Sequence, residues 1–197
     1  MFILYAVVAG LLLGLLSGGS PSRLGDLHFR WAPLIALGMM GQLLLFSTGV
    51  GAAVGDAAPA AYIASNLVVL IAVGRNLAIP GMLLVLMGGA ANLVTIVANG
   101  GYMPVSPEAV AAMGRLPKEG YSNSKLVDGV VLGPLTDIFA MPTWIPLANV
   151  FSVGDALIGI GAAIVVVAAM HGRAPMTIRA MKAVQGEPAS EPASEPA

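Results

Sequence analysis

The sequence predicts an all-α membrane protein of about five transmembrane helices, its N-terminus outside, its C-terminus inside and a long outer loop between the last two spans. Three observations predict it. The chain is 57% hydrophobic and 10% charged, with a mean hydropathy of +0.88, whereas soluble domains carry about 25% charged residues. The apolar residues gather into runs of a length that crosses roughly 30 Å of hydrocarbon at about 1.5 Å per helical residue. The basic residues collect in alternate connections, which orients the chain by the positive-inside rule.

Composition also excludes function classes. A formal net charge of -1 leaves no basic face for nucleic acid. With no cysteine, disulfides, thiolate catalysis and cysteine-held metals are ruled out. His28 and His171 flank spans far apart, so no metal or haem site on a histidine pair is expected within the chain.

Residues 1–175 read as one five-span domain, with spans at 2–17, 31–50, 59–74, 77–99 and 150–170. The opening run lacks the charged n-region of a signal peptide and reads as a retained first helix. The connection after it holds Arg23, His28 and Arg30 against Asp26. The next holds Asp56, and the third Arg75. The outer loop, 100–149, carries Arg115, Lys118 and Lys125 with Glu108, Glu119, Asp128 and Asp137. His171, Arg173, Arg179 and Lys182 follow the last span. The remainder, 176–197, is a Pro/Ala/Ser/Glu-rich tail that ends in a repeated EPAS unit and is expected to be extended and cytoplasmic.

Along the first span Ala6, Gly10, Gly14 and Gly18 recur every four residues, a smooth stripe where another backbone approaches closely. It reads first as packing against the chain's own helices and second as a docking surface for a partner subunit. In the second span, Gln42 near Gly38, Met39, Met40 and Gly41 reads as interhelical hydrogen-bonding glue, with a quinone or pigment contact as the lesser reading. Asn66 in the third span reads the same way. Pro80 sits near the inner start of the fourth span, where its missing N–H matters least.

The fourth span ends in Gly88, Asn92, Thr95 and Asn99, spaced to share one helical face. In the outer loop Asn99-Gly100-Gly101 signals a turn. Ser106-Pro107-Glu108 signals the start of a short interfacial helix over 107–115. The apolar segment 127–145 is broken by glycines and prolines, so it reads as re-entrant or interfacial rather than as a sixth span, with Trp144 at headgroup depth. The last span carries Asp155, about one and a half turns inside its outer end. A charge in hydrocarbon costs about 2.5–3.5 kcal/mol on insertion scales, so an intramembrane carboxylate is a functional-site candidate. Asn92, Thr95, Asn99, Ser152 and Asp155 are therefore the candidate outer pocket.

Two resemblances rest on these segments. Ala91-Asn92-Leu93-Val94-Thr95-Ile96, Gly101-Tyr102 and Phe151-Ser152-Val153-Gly154-Asp155 resemble the two motifs of signal peptidase II, the bacterial lipoprotein signal peptidase. That family implies a pair of aspartates sharing a proton to activate water. Asp155 matches the second aspartate. Thr95 stands in place of the first, Ile96 in place of the following arginine, and Ser152 in place of the motif's asparagine. Across its length the sequence resembles a family of small bacterial multi-pass proteins known as a domain of unknown function. There the NGGYMPV and NVFSVGD segments recur with the five-span layout, which implies a non-catalytic relative of the peptidase scaffold.

The expected function is a non-catalytic accessory subunit of the bacterial cytoplasmic (inner) membrane. It would pack into a larger complex of respiratory or photosynthetic type and contact other membrane subunits and lipids. No cofactor is expected within the chain; a bound lipid, quinone or pigment would come from partners. The alternative is a signal-peptidase-II-like enzyme or lipid-binding protein built around Asp155. A transporter is disfavoured, since no internal repeat is visible.

Overall fold

A computed structural model describes residues 2–46, 50–114 and 124–174. Among these the chain is mostly helical: α1 (Phe2–Leu16), α2 (Ala32–Leu45), α3 (Val50–Val54), α4 (Ala58–Gly74), α5 (Met82–Ala98), α6 (Pro107–Met113) and α7 (Val153–Met170). Four two-residue strands lie in the connection between α5 and α7: β1 (Met103–Pro104), β2 (Ser124–Lys125), β3 (Phe139–Ala140) and β4 (Val150–Phe151).

Two helical stretches, Gly55–Gly74 and Val153–Met170, are long and apolar enough to cross a membrane, and α1, α2 and α5 are apolar but shorter. The first and third expected spans match α1 and α4 to within one residue. The others are shorter than expected, for local reasons. Span 31–50 stops at Leu45, with Phe46 as its C-cap, and Val50 opens the separate helix α3. Span 77–99 begins only at Met82, because Pro80 and a left-handed Gly81 (φ 95°) hold the preceding residues in turns. Span 150–170 begins at Val153, because Val150 and Phe151 pair with Ala140 and Phe139. The helix expected over 107–115 ends at Met113, where Gly114 caps it in the left-handed region. Arg115 and the tail lie outside the described residues.

The long helices pack in the order α1, α7, α5, α4, α2. Backbone contact sets the seams. A Cβ built at Gly10 would stand 2.8 Å from Ala163 Cα, and one at Gly159 would stand 3.0 Å from Ala6 Cβ, so α1 and α7 run side by side in the same direction. Between α5 and α7, Gly81 abuts Gly161 and Gly88 abuts Gly154. The two pairs lie seven residues apart on each helix, which fixes these helices as antiparallel. Gly38 rests on Ser65 and Val69 of α4, and Leu45 joins Ala58, Tyr62, Ile96 and Met103 in a buried cluster.

The small-residue stripe of the first span is thus spent on the chain's own α7. Gly10 and Gly14 are buried there, whereas Gly18 is exposed with nothing near it and does not belong to the stripe; Gly19 approaches Met170 in its place.

The connection between α5 and α7 folds as a cap over the helix ends. β1 pairs with β2, Val105 bridges to Asp137, and β3 pairs with β4. Its small core of Met113, Met141 and Ala148 takes in Phe2 and Tyr5 of α1. The Phe2 ring stacks on Phe151 at 4.2 Å, and Tyr5 donates its hydroxyl hydrogen to Pro146 O.

Candidate functional site

Where α5 ends beside the start of α7, three of the expected site residues meet. Ser152 is the N-cap of α7 and Asp155 its third residue, together a capping box: the Asp155 N–H donates to Ser152 Oγ (3.0 Å), and the Ser152 N–H reaches back to Asp155 Oδ2 (3.4 Å). Asn92 of α5 closes the set. Its Nδ2 donates to Asp155 Oδ1 (2.8 Å), and its Oδ1 accepts from Ser152 Oγ (2.9 Å). The close approach of Gly88 and Gly154 lets these short side chains reach across the seam. Ser152 is fully buried, while Asn92 and Asp155 are half-buried.

Asp155 therefore lies in the first turn of α7 rather than one and a half turns inside a span, and its carboxyl group sits at the positive end of the helix dipole. Each of its oxygens accepts a hydrogen bond. Both ends of the Asn92 carboxamide are engaged as well. The ring of bonds joins two helices and caps one of them; every group in it has a structural use.

The other two expected residues do not join. Thr95 is fully buried and turns its hydroxyl back to Ala91 O (2.9 Å) within its own helix. Asn99 faces the cap: it donates to Val131 O and accepts from Val131 N, both at 2.9 Å. It pins the loop as a strand neighbour would. Asn76, unremarked in the sequence, does the same at the opposite end, bonding Arg30 N (2.7 Å) and Arg30 O (2.9 Å). Its place between Arg75 and the α5 turn was the only available signal.

A second feature lies in the bend of the helix row. A cleft of about 560 Å³ opens between α2, α4 and α5, with Ile3 and Ile158 at its far wall, and Gln42 and Asn66 both line it. Neither is interhelical glue. Asn66 donates to Tyr62 O in its own helix (2.9 Å), and the Gln42 carboxamide has no hydrogen-bond partner among the described residues. No group of three or more potential metal ligands occurs among the described residues.

One family model, described as a family of unknown function (DUF5317), matches residues 26–167. No curated protein and no solved structure matches the chain at a significant level.

Proposed function

The chain belongs to the DUF5317 family, and from this site we propose that it is a non-catalytic accessory subunit, with five spans, that packs into a larger complex of the bacterial cytoplasmic membrane, of respiratory or photosynthetic type. The observation that carries the reading is the closed hydrogen-bond ring of Asn92, Ser152 and Asp155: the one candidate catalytic carboxylate is occupied in capping α7 and fastening it to α5. The peptidase alternative has less support: no curated protein matches the chain, and Thr95, which the resemblance sets in place of the first aspartate, turns its hydroxyl back on its own helix.

Membrane crossing with the N-terminus outside and the C-terminus inside is supported by the ends of the bundle. Arg23, Arg30, Arg75 and Arg173 all belong to the end formed by the α1–α2 and α4–α5 connections and the exit of α7, as the positive-inside rule requires of a cytoplasmic face. Trp31 stands at that end with the Arg75 guanidinium 5.1 Å from its ring, and Trp144, 82% exposed, stands in the cap at the other. Tryptophan at both ends fits two membrane–water interfaces. Leucines such as Leu12, Leu37 and Leu43 point outward from the helices, which suits lipid or a neighbouring subunit. Helices of 14 to 17 residues are about 21–26 Å long and match a hydrocarbon core of about 30 Å through local bilayer thinning and the turns at their ends.

Gentle solubilisation of the source membrane followed by affinity isolation of this chain tests the role. A stoichiometric membrane partner, retained when Asp155→Asn is introduced, is the expected result. A chain that comes out alone and loses a measurable activity on Asp155→Asn overturns it.

A further inference from the structure

We infer that the cleft between α2, α4 and α5 is a binding site for a neutral, ring-bearing amphiphile of the quinone class, held by the carboxamides of Gln42 and Asn66. The inference rests on the membrane reading above and goes beyond the subunit role.

Three features of the cleft select that chemistry. The first is an unused donor. Gln42 lines an otherwise apolar wall with no hydrogen-bond partner among the described residues, and a carboxamide in apolar surroundings gains most from a ligand that supplies the missing partner. The second is depth. Asn66 is the ninth of seventeen residues in α4, so it lies about 12 Å from either helix end at 1.5 Å per residue. A phospholipid keeps its phosphate at the interface and has nothing to offer a polar group there. The third is charge: no Lys, Arg, His, Asp or Glu is among the lining residues. A phosphate or carboxylate head has no counter-ion in the cleft, whereas a ring carbonyl needs only an N–H donor.

Shape agrees with the chemistry. The volume of about 560 Å³ falls in the range of small-molecule sites. From Gln42 the α2 wall runs back through Met39 and Ala36 to Ala32, about 15 Å of helix that a prenyl or alkyl tail can follow. Met39 and Met82 supply soft, polarisable contacts for a flat ring.

The test uses the full chain in dodecyl maltoside micelles, with decylubiquinone titrated calorimetrically and empty micelles subtracted. Decylbenzene, which has the tail and a ring but no carbonyl, is the control. Wild-type protein is expected to bind decylubiquinone saturably at one site and more tightly than decylbenzene. Gln42→Leu is expected to weaken decylubiquinone about tenfold, the value of one hydrogen bond, and to leave decylbenzene unchanged. Ala36→Phe, which fills the cleft, is expected to abolish both. Each variant is first checked for wild-type melting and elution, so a chain that needs no detergent refutes the membrane reading separately. The inference is overturned by the absence of saturable binding, by equal affinity for the two probes, or by an unchanged affinity in Gln42→Leu.

Discussion

Replacing Asp155 separates a structural carboxylate from a chemical one. In Asp155→Ala, Asn92 Nδ2 loses its acceptor at 2.8 Å in a half-buried seam. An orphaned donor of this kind costs about 1–3 kcal/mol. The variant also forfeits the returning half of the capping box and the favourable charge at the helix N-terminus, together worth about 0.5–1 kcal/mol. The 3.4 Å Ser152 bond is long, so the lower part of that range applies. The expected loss is about 2–3 kcal/mol. In Asp155→Asn the single carbonyl oxygen keeps the bond from Asn92, while the amide nitrogen that replaces Oδ2 faces the Ser152 N–H, so the long Ser152 bond and the dipole interaction are lost and the expected cost is about 1 kcal/mol. Ser152→Ala removes the acceptor of Asp155 N–H and the donor to Asn92 Oδ1, and should match Asp155→Ala. Unfolding in mixed micelles by added dodecyl sulfate, followed by far-ultraviolet circular dichroism, measures all three. If Asp155→Asn is as damaging as Asp155→Ala, the charge itself is required and the capping argument fails.

Other expectations follow from the seams and the pins. Gly10→Val should cost about 1–3 kcal/mol by overpacking against the Ala163 backbone, while Gly41→Leu, on the outward face of α2 with nothing near it, should stay within about 0.5 kcal/mol in the same assay. Asn99→Ala strips both partners from the Val131 backbone and should cost about 2–4 kcal/mol, seen first as faster proteolysis of the cap between α5 and α7. Ser106→Ala removes the N-cap of α6, which accepts from Ala109 N at 3.0 Å. A loss of about 0.5–2 kcal/mol is expected, with accelerated amide exchange confined to α6.

The sequence carries the helices plainly, because apolar runs, breakers and caps are local. The stop at Leu45 has a local signal in the Ser47-Thr48-Gly49 sequence that follows Phe46, and Leu45 ends the helix within a tertiary cluster with Ala58 and Tyr62. The start of α7 at Val153 rather than at Val150 is not legible locally, because the pairing of Val150 and Phe151 with β3 is non-local. The capping signal, Ser152-Val153-Gly154-Asp155 ahead of an apolar run, was present nonetheless. Thr95 and Asn99 do share a helical face with Asn92, yet a face does not say which neighbour each meets. Thr95 closes on its own helix and Asn99 on a loop more than 30 residues away. The cleft was illegible for the same reason: Gln42 and Asn66 are noticeable as polar residues in apolar spans, but only the bent order α1, α7, α5, α4, α2 leaves room between them.

The proposed role and ligand both require five crossings with the N-terminus outside. The chain has no cysteine, so single cysteines placed in the wild-type sequence report without background. With a membrane-impermeant maleimide on intact spheroplasts, Glu108→Cys and Asp128→Cys are predicted to label at once, and Arg23→Cys, Arg75→Cys and Arg173→Cys only after permeabilisation. Labelling of Arg75→Cys from outside, or protection of Asp128→Cys, would contradict the account.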